Sequence, residues 1–182
     1  MKQYVIALDQ GTTSSRCILF DRDQNIVGVA QREFTQHYPK PGWVEHDPEE
    51  IYRNTIQTVK NVVEKAGIDK NLIAGAGISN QRETALAWKK DGRPVYNAVV
   101  SQCARGEVIC SRITDSAGMI RERTGLKLSP YFQRQRLPGY WKMWRAPGKE
   151  PKKVICVMEP WTVSWYTGSQ AADPFLRIIP TH

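Results

Sequence analysis

The chain has 182 residues, 41% hydrophobic and 24% charged, with a formal net charge of +8, the balance of a globular domain that buries a real core. No run of about 18 apolar residues argues for a membrane span, and Met1-Lys2-Gln3-Tyr4 leads straight into a strand pattern with no leader signature, so a cytoplasmic location without membrane contact is expected. Residues 1–132 hold 18 Lys/Arg against 15 Asp/Glu, whereas residues 133–182 hold 8 against 3; the basic excess sits mainly in the tail without a nucleic-acid-binding signature, and no nucleic acid partner is expected.

Two apolar runs, Tyr4–Leu8 and Cys17–Phe20, flank the polar stretch Asp9-Gln10-Gly11-Thr12-Thr13-Ser14-Ser15-Arg16 and predict a strand hairpin. Gly11 lets a ligand approach the main chain, and the hydroxyls and the Arg16 guanidinium are donors suited to phosphate oxygens. Asp9, at a strand end, is a candidate Mg²⁺ ligand, direct or through water. An ordinary hairpin whose Ser and Thr satisfy the turn backbone is the other reading. Ile26–Ala30 starts a third antiparallel strand running toward Phe34, and Tyr38-Pro39-Lys40-Pro41-Gly42-Trp43 is a surface loop because its prolines remove backbone donors.

Asp47-Pro48-Glu49-Glu50 is a helix start, with a capping aspartate, proline at the first helical position and Glu50 in capping-box spacing. Ile51, Tyr52, Ile56, Val59, Val62 and Val63 recur at helical spacing, and Gly67 ends the run, which predicts a packing helix without chemistry. Leu72–Ile78 is a continuous apolar run, the pattern of a strand buried on both faces. It is followed by the polar segment Ser79–Thr84 and then by Ala85–Trp88 as another strand, turned by Asp91-Gly92. A polar loop at the carboxyl end of a buried strand is where open α/β sheets bind ligands. Arg82 beside Glu83 suits a polyhydroxyl compound, although such a pair is also ordinary solvated surface. Cys103–Gly118 has helical composition, and Met119–Thr124 predicts a helix ended by Gly125. The four cysteines, Cys17, Cys103, Cys110 and Cys156, show no metal-site spacing and are expected as free thiols, mostly buried.

Asp9–Arg16 at a hairpin, Pro41-Gly42-Trp43-Val44-Glu45-His46-Asp47-Pro48 before a helix and Asn80-Gln81-Arg82-Glu83-Thr84 after a strand together resemble the glycerol kinases, of the sugar kinase family that shares the actin and hexokinase ATPase fold. The resemblance covers residues 1–132. It implies an α/β fold, an incomplete N-terminal domain of the actin-like ATPase, ribonuclease H-like type, with a mixed sheet and flanking helices. It also implies that Asp9, Thr12, Thr13, Ser14 and Arg16 contact the phosphates of ATP and Mg²⁺, and that Arg82, Glu83 and Tyr131 hydrogen-bond glycerol. Three positions depart from that pattern: Ser101 where the family has a tryptophan that packs on glycerol carbons, Ala104 for a basic residue and Gly106 for threonine. The resemblance places the catalytic aspartate and the adenosine-binding domain beyond residue 182, so the chain alone is expected to be inactive, or to act as a nucleotide- or partner-binding fragment; a different sugar kinase of the same family is the further alternative.

From Gln133 the texture changes, with 4 of the 6 tryptophans and 6 of the 11 prolines in the last 50 residues. Written in one permitted set of codons and read two bases later, the stretch from Glu150 yields Gly-Thr-Met-Asp, which looks like a segment of the glycerol kinases. Residues 133–182 are therefore expected to be an out-of-frame tail with no evolved packing.

Overall fold

The computed structural model describes residues 1–88 and 92–131. The proposed tail, Cys156 and Asp91 of the 91–92 turn lie outside the described residues.

Strands β1 (Tyr4–Gln10), β2 (Ser14–Phe20) and β3 (Ile26–Glu33) form the expected antiparallel meander, and β5 (Ile73–Asn80) joins β1 in parallel to give the order β3-β2-β1-β5. Alternation does the sorting: Ile6 and Leu8 of β1, Ser15, Cys17 and Leu19 of β2 and Ala30 of β3 are buried on one face. Helix α1 (Pro48–Ala66) covers that face through Val62. Gly28 of β3 is where the helix comes closest, since a Cβ there would stand 3.1 Å from Val62 Cγ2. Asp47 caps α1 by accepting from the Glu49 N–H at 2.9 Å, and Gly67 closes it at φ 62°, as the sequence predicts. Glu50 does not complete a capping box; its carboxylate accepts from the N–H and hydroxyl of Thr35 at 3.2 and 3.3 Å. The competing donors at the end of β3 claim it.

Several other expectations are corrected. The inward stripe of α1 is Asn54, Thr55, Thr58 and Val62, whereas Tyr52 and Ile56 of the predicted apolar face are exposed. The sheet end beneath the first turns of α1 is polar, so hydrogen-bonding side chains turn inward there. β5 is not buried on both faces. Residues 74–79 are exposed, because among the described residues β5 pairs only with β1, and α1 lies over β2 and β3 instead. Among the described residues, 85–88 form no ladder strand, only isolated bridges from Ala85 to Val99 and from Trp88 to Pro94; Pro94 has no N–H to extend the pairing. The 103–118 segment breaks into 3-10 turns around a short α2 (Glu107–Arg112), and α3 (Ala117–Thr124) stops at Gly125 with φ 71°.

A small second sheet pairs β4 (Glu45–His46) with β6 (Ala98–Val99). Behind it Ala85, Ala87, Val99 and Cys103 form a second core with Trp43 packed against it. Cys17 and Cys103 are buried and free, and Cys110 is half-buried and free; burial pushes the Cys17 thiol up to about 11. Among the described residues no helix is long and apolar enough to cross a membrane.

Candidate functional site

Parallel pairing of β1 with β5 sets Asp9 opposite Ser79 and Gln10 opposite Asn80. The two strands therefore end together, and the loops that follow them, 11–13 and 81–84, emerge side by side at one edge of the sheet. This is the carboxyl end of a parallel pair, where α/β sheets place ligands.

The hairpin is tight, with the Gly11 N–H donating to Ser14 O at 3.0 Å. Its carbonyls are engaged: Thr13 O accepts from the Phe34 N–H at 3.2 Å and Thr12 O from Gln36 Nε2 at 3.1 Å. The hydroxyls and main-chain N–H groups of Thr12 and Thr13 make no bond to any described residue. The turn is thus anchored through its acceptors and presents its donors outward.

Asp9 and Arg16 are cross-strand partners, on the sheet face opposite α1. Arg16 Nε donates to Gln31 Oε1 at 2.9 Å, and Gln31 Nε2 donates to Ser14 Oγ at 3.0 Å. Gln31 thus orients both groups while leaving the terminal nitrogens of Arg16 available. Its role was legible in the pattern of β3, because strand alternation sets it directly across from Arg16. The Asp9 carboxylate is exposed and makes no hydrogen bond or ion pair among the described residues. Among the described residues no group of three or more His, Cys, Asp or Glu side chains gathers there. One free carboxylate fits a Mg²⁺ that takes its remaining ligands from phosphates and water, and does not fit an all-protein cage.

On the opposite face the hairpin is tied to α1. Gln10 Nε2 donates to Thr55 Oγ1 at 3.0 Å, Thr55 Oγ1 donates to Ile51 O at 2.9 Å, and the Ser15 hydroxyl lies 3.3 Å away. The helix therefore supports the hairpin with polar side chains, a role that apolar periodicity does not reveal.

In the second loop Arg82 is exposed and Glu83 half-buried. Glu83 holds φ 56°, a left-handed angle uncommon for a residue with a side chain. Thr84 Oγ1 donates to Gln81 Oε1 at 3.0 Å, bracing the turn. Tyr131 is exposed and follows Pro130, whose backbone and ring pack on Gly106, where a Cβ would meet Pro130 O at 3.1 Å. Ser101 sits half-buried in a turn closed by the Cys103 N–H donating to Val100 O at 3.0 Å.

Residues 4–163 match the family model described as the FGGY family of carbohydrate kinases, N-terminal domain. The chain is 46% identical over 177 residues to a glycerol kinase of Pseudomonas putida strain F1, a match covering 93% of this chain and 35% of that protein. It is 55% identical over 134 residues to a glycerol kinase of Shewanella sp. strain ANA-3, covering 72% of this chain and 27% of the relative. The chain thus spans about a third or less of the length of these curated relatives. Among solved structures, Plasmodium falciparum glycerol kinase with ADP is 30% identical with a TM-score of 0.66, covering 79% of this chain and 29% of that one. A xylulose kinase from Rhodospirillum rubrum shares the fold at 22% identity, with a TM-score of 0.70 over 80% of this chain and 30% of its own. The mixed sheet with its helix is accordingly the actin-like ATPase fold of the sugar kinases, seen in its N-terminal part. With 160 residues matched in a continuous stretch, the chain belongs to the FGGY family of carbohydrate kinases.

Proposed function

We propose that this chain carries the phosphate grip and part of the substrate clamp of an ATP-dependent kinase that acts on glycerol. The observation that carries the reading is the hairpin's anchoring, acceptors turned inward and the donors of Thr12 and Thr13 turned outward between Asp9 and the Gln31-held Arg16. Thr12, Thr13, Ser14 and Arg16 donate to phosphate oxygens. Asp9 holds Mg²⁺ directly or through water, and the ion supplies charge neutralisation on the phosphates when bound. Arg82, Glu83 and Tyr131 hydrogen-bond the glycerol hydroxyls, with Arg82 donating and Glu83 accepting. The register of β1 with β5 supports the pairing of these two sets, since it brings their loops to one edge.

Phosphoryl transfer depends on holding both substrates in line between domains, and the chain spans a third or less of its relatives. We therefore propose that the chain alone binds without turnover. Isothermal titration with Mg-ADP and then glycerol tests the reading: heat from nucleotide, with no glycerol 3-phosphate formed from Mg-ATP, is the expected result. A folded chain that gives no nucleotide heat overturns the phosphate grip, and measurable glycerol 3-phosphate overturns the proposed inactivity. Replacing glycerol by a pentulose in the same titration distinguishes another sugar kinase of the family.

For residues 133–182 we propose an out-of-frame origin, supported by the compositional break and the two-base-offset reading. An in-frame tail is favoured by the family match reaching residue 163. The coding DNA around Phe132 decides between them.

A further inference from the structure

The four-stranded sheet is bounded by β3 and β5, whose outer edges differ in chemistry. β3 ends in Gln31, Arg32 and Glu33, all exposed, and its register against β2 shifts near Phe20. Edge charges and register irregularities of this kind keep a strand from pairing with another chain. β5 has neither. Its residues, Ile73-Ala74-Gly75-Ala76-Gly77-Ile78-Ser79-Asn80, include no charge and no proline, and its register against β1 is unbroken from Gly75 to Asn80. Among the described residues only β1 pairs with β5, and the main chain of residues 74–80 makes no bond outside that ladder.

The space around this edge is open. Residues 74–79 are exposed, and a Cβ at Gly75 or Gly77 would meet nothing within 4 Å. Ala76 and Ile78 pair with buried Ile6 and Leu8 and so lie on the α1 face with Ala74, whereas Gly75 and Gly77 lie on the other face beside Val5 and Ala7. An unpaired, uncharged, extended main chain takes up another strand through its backbone groups.

The strand that fits it is its own copy. A two-fold axis perpendicular to the sheet at Ala76 runs two β5 strands antiparallel, with both α1 helices on the same side. Ala74 then stands opposite Ile78 and Ala76 opposite itself on one face, and Gly75 stands opposite Gly77 on the other. Apolar meets apolar, glycine meets glycine, and no like charges are set across from each other. The contact is isologous and uses up the open edge of both copies; with β3 guarded, assembly stops at two.

We propose that two copies of this chain pair through β5 and join their sheets into one. The contact is a single strand pair, so the dimer is weak and depends on concentration. This goes beyond the kinase reading and does not rest on it.

Sedimentation velocity of the 182-residue chain, from micromolar to hundreds of micromolar, tests the proposal. A monomer–dimer equilibrium is expected in the wild type. Ala76→Lys sets two like charges opposite each other at an exposed position and is expected to remain monomeric across the range. Val29→Lys makes the same charge change on the sheet face away from α1 and is expected to dimerise like the wild type. A wild type that stays monomeric, or that grows beyond the dimer, overturns the proposal. So does an Ala76→Lys chain that still dimerises, or a loss of the dimer shared equally by Val29→Lys. If Ala76→Lys fails to fold, amide exchange in the wild type decides: exchange at 74–80 is expected to slow as concentration rises while 26–33 stays unchanged, and protection that rises elsewhere instead overturns β5 pairing.

Discussion

The Arg105 guanidinium closes on Glu45 in an ion pair that leaves 3% of the arginine side chain and 1% of the glutamate side chain exposed. Every neighbour contributes to making it tolerable. Tyr96 and Asn97 donate to the same carboxylate at 3.1 and 3.2 Å, Arg105 Nε reaches Cys103 Sγ at 2.9 Å, and the guanidinium lies 4.0 Å from the Trp43 ring centre. Burial, and next the adjacent Glu45 charge, push the Tyr96 phenol up. Glu45 and Trp43 precede α1 while Arg105 precedes α2, so this knot joins distant parts of the chain behind the β4–β6 pair.

Arg105→Ala is expected to destabilise the fold by about 3–5 kcal/mol, because it strands the Glu45 charge in the interior. Arg105→Met combined with Glu45→Leu is expected to recover most of that loss, since no buried charge remains. Urea unfolding of the three proteins measures both; a double variant no better than Arg105→Ala refutes the account.

Thr55→Val keeps the shape of α1 but removes the acceptor for Gln10 and the polar neighbour of buried Ser15. A loss of about 1–3 kcal/mol follows from stranding those groups. The effect is expected in the hairpin as well as in global stability, read as faster amide exchange at Gln10 and Gly11 in the variant.

His46 gives stability a pH dependence. Burial first, and then the nearby His37 charge, lower its pKa from 6.5 to about 4 in the folded chain, with Glu50 and Gln81 opposing. Between these two values the unfolded chain holds more protons, so stability is complete above about pH 6.5 and is lost as pH falls toward 4, by on the order of 2–3 kcal/mol. His46→Gln is expected to flatten that part of the profile. Denaturant midpoints at several pH values between 4 and 7 measure it, and parallel slopes in the two proteins would falsify the assignment to His46.

Gln31→Ala removes the group that orients Arg16 and Ser14 while exposing no buried polar atom. Mg-ADP affinity is expected to fall about 3–10-fold, the worth of one net hydrogen bond, with the unfolding midpoint nearly unchanged. Unaltered affinity in a chain that binds nucleotide would show that Arg16 needs no support from β3.

Local chemistry is written in the order of the residues themselves. Gly11 and its hydroxyl neighbours mark the hairpin, Asp47 and Pro48 start α1, and Gly67 and Gly125 end helices, because turns and caps depend on residues adjacent in sequence. The strand pattern of β1 to β3 follows from alternation over the same short range. Long-range partnership decided the rest. Apolar content marked residues 72–78 as a buried strand, yet burial needs a layer over the sheet face, and among the described residues α1 lies over β2 and β3 while β5 pairs only with β1. Periodicity marked Ile56 for the core, and α1 instead turned Thr55 inward because the hairpin offered Gln10 and Ser15 to bond. Beyond the strand alternation that sets Gln31 across from Arg16, the residues Gln31, Gln36 and Arg105 carried no recognisable sequence signal, and the motif that contains His46 did not reveal its partner. Their roles arise from partners 10 to 60 residues away, and a hydrogen bond between remote side chains is specified only when packing brings donor and acceptor within about 3 Å.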